Sequence, residues 1–281
     1  MRVGATTGGT PLTPGTARYD CAVPDFDITT PHIARIYDYW LGGKDNFEAD
    51  RNAAELALAA TPTILPGVTA NRRFLGRAVR FMAADGGVRQ FLDIGTGIPT
   101  ASNTHEVAQA IDPDARVVYV DNDPIVLAHA RALLTGRPGT TAYIDADARD
   151  TGGILAEARA TLDFGQPVGV MLIAVLHCVP DQDDPGRIVA DLMAACPPGS
   201  YLAITHPARD QLDVAVKAEE SLSKSMGMKV TFRTGDAVEK LFDGTELVSP
   251  GVVPVQEWRP TSELDFNSLP TAMWGGVGRK G

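Results

Sequence analysis

Cysteine is scarce: Cys21, Cys178 and Cys196 are the only three in 281 residues, an odd, widely spaced set without a C-x-x-C pair. This spacing suggests neither a disulfide framework nor a thiolate zinc site, and it fits a reducing, cytoplasmic setting. Basic charge is also in deficit, with 25 Lys and Arg against 35 Asp and Glu and a formal net charge of -10. The basic residues are scattered, so counterion release from nucleic-acid phosphates has little to act through, and no nucleic-acid partner is expected. Long apolar runs are missing too. The most apolar stretch, Val168 to Leu176, is far too short to cross a bilayer, and the amino terminus lacks a charged-then-apolar signal pattern, so neither secretion nor a membrane partner is expected.

What is present is enough apolar material for a core, with 44% hydrophobic and 21% charged residues, and a chain length that fits one large α/β unit with an appended helical element. Residues 1–25 are rich in Gly, Thr and Pro without apolar periodicity and read as a flexible leader. Residues 26–87 read as a helical cap. Thr30 and Pro31 resemble an N-cap and first helical position, and Ile33, Ile36, Tyr37, Trp40 and Leu41 then follow a helical stripe ended by Gly42 and Gly43. A second helix is expected from Asp45, with Glu48 three residues on, to the proline-containing Thr61 to Gly67 segment. A third is expected from about Thr69, with Phe74, Leu75, Ala78, Val79 and Met82 on one face.

From residue 88 onward, short apolar strands alternate with helical segments, the pattern of a mostly parallel sheet with helices on both faces. Seven strands are expected: Phe91 to Ile94, Val117 to Val120, Ala142 to Ile144, Val168 to Leu176, Tyr201 to Thr205, Val230 to Phe232 and Val252 to Trp258, the last able to return antiparallel. Asp123-Pro124 and Asp184-Pro185 each place a capping carboxylate before a proline at a helix start.

The chemistry-bearing constellation starts at the end of the first strand, where Asp93-Ile94-Gly95-Thr96-Gly97 puts two glycines in a turn that a cofactor can approach closely. The second strand ends at Asp121, a carboxylate suited to the two hydroxyls of a cofactor ribose. The third ends in Asp145-Ala146-Asp147-Ala148, offering an acceptor for an adenine amino group, with the register between the two acids open. The run from Ala34 to Phe47, including Tyr37-Asp38-Tyr39-Trp40-Leu41-Gly42-Gly43-Lys44-Asp45-Asn46, together with Phe91 to Gly97 and Val118 to Pro124, closely resembles the actinobacterial S-adenosyl methyltransferase family, formerly a domain of unknown function. The likeness extends from about Asp27 to the carboxyl end.

That resemblance implies a Rossmann-like class I methyltransferase fold, with the cofactor S-adenosylmethionine at Gly95, Gly97, Asp121 and Asp147 under a helical lid. It implies no defined acceptor. With the immediate neighbours, the expected cofactor set is Gly95, Thr96, Gly97, Asp121, Asn122, Asp147 and Ala148, joined by Tyr39, Lys44 and Asn46 from the cap. A small-molecule acceptor is expected between the cap and the ends of the fourth and fifth strands.

His177, just past the fourth strand, is either a general base or a structural imidazole, and Cys178 is equally open. The acids at Asp181, Asp183 and Asp184 lack Ca-loop spacing, so no metal is expected. Two rivals remain. A nicotinamide-dependent oxidoreductase would want a third glycine where Thr100 stands, and a regulator could hold the cofactor without turnover.

Overall fold

A computed structural model describes residues 27–61, 63–100, 102–133, 139–211, 215–227, 229–262, 265 and 271–281; the expected leader, with Cys21, lies outside them. Three helices precede the sheet: α1 (Ile33–Trp40), α2 (Glu48–Ala60) and α3 (Ile64–Ala84). The parallel strands β1 (Gln90–Ile94), β2 (Arg116–Asp121), β3 (Thr141–Asp145), β4 (Gly169–Ile173) and β5 (Tyr201–Pro207) follow, in the spatial order β3-β2-β1-β4-β5. Between and after them run α4 (Thr104–Gln109), α5 (Pro124–Leu133), α6 (Thr151–Ala158), α7 (Pro185–Ala194), α8 (Ala215–Met226) and α9 (Gly235–Glu239). β6 (Glu246–Leu247), β7 (Val253–Pro254) and β8 (Met273–Arg279) complete the sheet, β8 pairing antiparallel with β5 from Tyr201 opposite Arg279 to Pro207 opposite Met273. The strand order reverses between β1 and β4, which opens a crevice at their carboxyl ends.

Strand alternation sorts side chains between two cores. Phe91, Val117, Tyr119, Met171 and Ala203 pack against Phe74, Ala78 and Met82 of α3. Their neighbours Leu92, Val118, Leu172 and Ile204 pack on the other face against Ile154, Ile188, Leu192 and Val238 of α6, α7 and α9. Burying each such large side chain is worth about 1.5–3 kcal/mol. A separate cluster joins Ile36, Trp40, Ala54, Ala57 and Val68 to Leu222, Val230 and Phe232. The three amino-terminal helices therefore do not form one layer: α1, α2 and the first turns of α3 share the cap cluster, whereas α3 from Ala70 onward packs in the core on one face of the sheet.

Several local expectations shift. The residue at the cap position of α1 is His32; Thr30 is instead held in a turn by Asp27, whose Oδ1 accepts from the Thr29 and Thr30 N–H groups. α2 starts at Glu48 rather than Asp45, because the Asp45 N–H donates to Asp38 while the Phe47 N–H donates to Asp50 at 2.8 Å. α3 starts at Ile64, tolerating Pro66 in its first turn, where proline forfeits no helical bond. Val230 to Phe232 forms no strand: its apolar side chains feed the cap cluster, and only an Ala208–Arg233 bridge links the segment to the sheet end. Of Val252 to Trp258 only Val253–Pro254 pairs. The antiparallel strand is β8, hidden in the sequence by its glycines; a Cβ at Gly275 would lie 2.8 Å from Val255 Cγ1, so the absent side chain is what lets the neighbouring segment pack. Among the described residues no single helix is long and apolar enough to cross a membrane.

Val255, Trp258 and Asp265, ahead of β8, are held by Arg77 of α3. Its buried guanidinium donates to the carbonyls of Val255 and Trp258 at 2.6 and 2.9 Å and pairs with Asp265 at 2.8 Å. Burial lowers the Arg77 pKa, and Asp265 opposes that shift. Replacing Arg77 by Met keeps the stem but takes the donors from two buried carbonyls and the guanidinium from Asp265. Urea titration of Arg77→Met is expected to show a loss on the order of 3 kcal/mol; an unchanged midpoint would contradict the clamp.

Candidate functional site

The crevice at the ends of β1, β2 and β4 is built from the turn after β1. Gly95 adopts a φ of 73° and Gly97 a φ of 67°, the left-handed region that favours glycine. The N–H groups of Gly95 and Thr96 donate to Val120 O at 2.8 and 3.2 Å, and the Gly97 N–H donates to Asp121 Oδ2 at 2.8 Å. The turn is thus stapled to the tip of β2. The two glycines serve different ends. A Cβ at Gly95 would collide with Val175, whereas one at Gly97 would meet nothing within 4 Å among the described residues, so only Gly97 presents bare backbone to open space.

Asp121 is buried, and its Oδ1 accepts from the Asp123 N–H at 3.0 Å. Burial raises its pKa, opposed by these backbone bonds. A carboxylate offers about four acceptor sites, so two remain for a ligand. Asp93, at the end of β1, lines the same cavity; burial raises it to about 6, while the Thr104 hydroxyl donates to its Oδ2 at 2.6 Å and opposes the shift. Nothing but its position before Gly95 marks Asp93 in the sequence. At the far rim, Asp147 lines the cavity and Asp145 does not; Asp147 Oδ1 accepts from the Arg149 N–H at 2.9 Å.

α1 roofs this cavity with Ala34, Tyr37, Asp38 and Leu41, residues three and four apart on one helical face. The helix is tied to the start of α5, where Asp123 meets His32 Nδ1 at 2.9 Å and Arg35 Nε at 3.2 Å. Arg35 also faces Asp50 at 3.7 Å, and Asp50 accepts the His32 N–H at 2.9 Å.

Of the expected cofactor set, Gly95, Thr96, Gly97, Asp121, Asn122, Asp147 and Ala148 converge on this one cavity. Tyr39, Lys44 and Asn46 lie outside it. Tyr39 is on the opposite side of α1 from the roof, its hydroxyl donating to Glu55 of α2. Lys44 follows the Gly42–Gly43 turn that ends α1 and does not line the crevice. Asn46 is buried but donates to Asp38 Oδ2 at 2.9 Å, so it reaches the cavity only through that residue. Cys178 lines the cavity with its thiol pushed up to about 12, burial being the main cause, and so carries no thiolate near neutrality. Among the described residues no cluster of His, Cys, Asp and Glu is arranged to hold a metal.

His177 lines not this cavity but an adjoining recess, and Ile33, Tyr37 and Ala174 border both. Ala174 has a φ of 51° and is fixed by Thr205, whose hydroxyl accepts its N–H at 2.9 Å. The loop that follows is gripped by Arg233, which donates to Leu176 O and Val179 O at 2.9 Å each and pairs with Asp181 at 2.7 Å. Arg233 also approaches His206 Nε2 at 2.7 Å. Since arginine only donates, that nitrogen is the acceptor and Nδ1 carries the hydrogen toward Pro207 O, at 2.9 Å.

The family model described as S-adenosyl methyltransferase matches residues 20–281. A DUF574 family protein from Streptomyces avermitilis MA-4680 is similar at 42% identity over 91% of this chain and 99% of that one, with a TM-score of 0.87. A Thermobifida fusca YX protein is similar at 43% identity over 92% and 97%, with a TM-score of 0.86. A SAM-dependent methyltransferase from Anabaena variabilis ATCC 29413, at 12% identity over 90% and 97% with a TM-score of 0.51, shares the fold. No curated protein matches at a significant level.

The buried imidazoles make a claim about acid stability. Burial, aided by the Arg233 charge, lowers His177 to about 4 and His206 to about 3. An unfolded histidine titrates near 6.5, so between pH 6.5 and 4 the unfolded chain binds the extra protons and stability falls with falling pH; the raised Asp93 acts in the opposite direction. The melting temperature of the wild type should therefore drop more steeply over that interval than that of His177→Phe, with the two curves parallel above pH 7. Parallel curves throughout would mean that His177 is not held neutral.

Proposed function

The chain belongs to the S-adenosyl methyltransferase family, and on that premise we propose that the crevice carries out methyl transfer to a small-molecule acceptor seated between α1 and the ends of β4 and β5. The cofactor is S-adenosylmethionine, which when bound supplies an electrophilic methyl group on a sulfonium. The observation that carries the reading is the pairing of Gly97, whose side-chain position is open space, with an Asp121 carboxylate that keeps spare acceptor capacity.

Asp121 would hold the ribose hydroxyls, and Asp147 at the rim would accept from the adenine amino group. Asp93, ionised above about pH 6, would face the cofactor's ammonium. The third-glycine position of a nicotinamide fingerprint is Thr100, whose N–H is engaged by Asn103 Oδ1 at 3.1 Å in the turn that starts α4. The roof of α1 excludes water from the reacting atoms, which an in-line displacement needs along with alignment of the acceptor. His177 is a hydrogen-bonding group in this reading rather than a base, because a conjugate acid near 4 takes a proton poorly at neutral pH.

Calorimetric titration should show S-adenosylmethionine binding, weakened on the order of 1.5 to 3 kcal/mol, or roughly ten- to a hundredfold, by Asp121→Ala. Unchanged affinity in a folded variant would remove Asp121 from the site. Incubating the protein with methyl-labelled cofactor and metabolite mixtures should move label into an acceptor. Cofactor binding with no transfer across such mixtures would favour a regulator over an enzyme.

A further inference from the structure

The recess beside the cofactor cavity has the chemistry of a second site. Its walls are mainly apolar, with Ile33, Trp40, Val68, Leu222 and Phe232 prominent. No charged side chain lines it among the described residues. Three of its lining residues carry a buried polar atom without a hydrogen-bond partner there: His177 Nδ1, Thr61 Oγ1 and Thr63 Oγ1. His177 and Thr61 are 5% and 4% exposed. Tyr37, by contrast, is satisfied, donating to Val68 O at 3.2 Å and accepting from Asn71 at 2.9 Å. A buried polar atom without a partner has given up its water hydrogen bonds without replacement, and a ligand that supplies the partner recovers that cost.

We propose that this recess is the acceptor pocket, and that it takes a neutral, largely apolar molecule, a single aromatic ring or short branched chain, bearing a hydroxyl group that His177 engages. The proposal rests on the methyl-transfer reading. Size argues for a small occupant: the recess holds about 80 Å³, about half the ~150 Å³ of an apolar cavity that admits benzene. The occupant therefore lies partly in the opening framed by Ile33, Tyr37 and Ala174, which is where an acceptor atom must sit to meet the neighbouring cavity. Charge argues for neutrality, since a carboxylate or ammonium would be desolvated there without a counter-ion. The imidazole itself is uncharged at neutral pH, its titration lying near 4 through burial.

Gly67 supplies the test. It is buried in α3 and lines the recess, and a Cβ there would meet nothing within 4 Å among the described residues, with no positive φ to strain. Gly67→Leu should plug the recess, and Gly67→Ala should narrow it while favouring the helix. The probes are 4-methylphenol, toluene and 4-hydroxybenzoate, followed by ligand-observed NMR on protein saturated with S-adenosylhomocysteine. Wild type should bind 4-methylphenol more tightly than toluene and the anion least. Gly67→Leu should bind 4-methylphenol roughly tenfold or more weakly, Gly67→Ala should fall between, and both should keep wild-type cofactor affinity and circular dichroism. His177→Phe should erase the preference for 4-methylphenol over toluene.

The proposal is overturned if 4-methylphenol fails to bind wild type, if it binds Gly67→Leu as tightly, if the anion matches the phenol, or if His177→Phe keeps the preference. Should Gly67→Leu not fold, Gly67→Ala and His177→Phe separate the same outcomes. Failure of the cofactor to bind is read separately, by calorimetry, and would sink the methyl-transfer reading, with probe binding then measured on the protein alone.

Discussion

The hydrogen bond from the Gly97 N–H to Asp121 holds the site in register. It joins the turn after β1 to the tip of β2, and the same short stretch of chain reaches the opposite way two residues later. Asp121 accepts from the Asp123 N–H, and Asp123 meets His32 and Arg35 of the roof helix. Arg35 and His32 pass the connection on to Asp50 at the start of α2. A single β2–α5 junction therefore orients the glycine turn beneath the cavity and the helix above it. Such an arrangement is strict about geometry because buried carboxylates are stable only with their partners in place.

A second organiser, Arg233, acts on the other side of the crevice. It gathers two carbonyls and an exposed carboxylate from the loop after β4 and bonds His206 at the end of β5. Since that loop carries His177 and begins at Ala174, the wall between cavity and recess is set by a side chain far away in sequence. Arg77 does the same for the segment before β8. In each case one guanidinium supplies several donors in a fixed fork to carbonyls outside the strands and α-helices of the fold.

The alternation of strands with helices and the turn from Asp93 to Gly97 were legible because each rests on local pattern: short continuous apolar runs, which the structure buries on both faces, proline after a capping acid, and glycine where the backbone turns. The family likeness carried the cofactor. What was not legible depends on contacts between distant residues. β8 reads as a glycine-rich tail until Val255 and Phe74 are seen to need the space, and Val230 to Phe232 reads as a strand although the cap cluster claims its side chains. Tyr39 and Asn46 belong to the same distinctive segment as Tyr37 and Asp38, yet helical rotation turns Tyr39 to α2, and the Asn46 amide turns inward to Asp38. Arg77 and Arg233 look like any other scattered arginine in an acidic chain.

The two chambers differ in how the chain assembles them. The floor and rim of the crevice cavity come from the turns that follow β1, β2, β3 and β4, whereas the recess draws on residues from α1, α3, the loop after β4, β5, α8 and the approach to β8. Apart from Ile33, Tyr37 and Ala174, which border both chambers, substitutions at those dispersed points can reshape the recess without rewriting the turns that line the cavity. With donor and acceptor bound as proposed, such a layout would let a lineage keep one donor while its acceptors diversify.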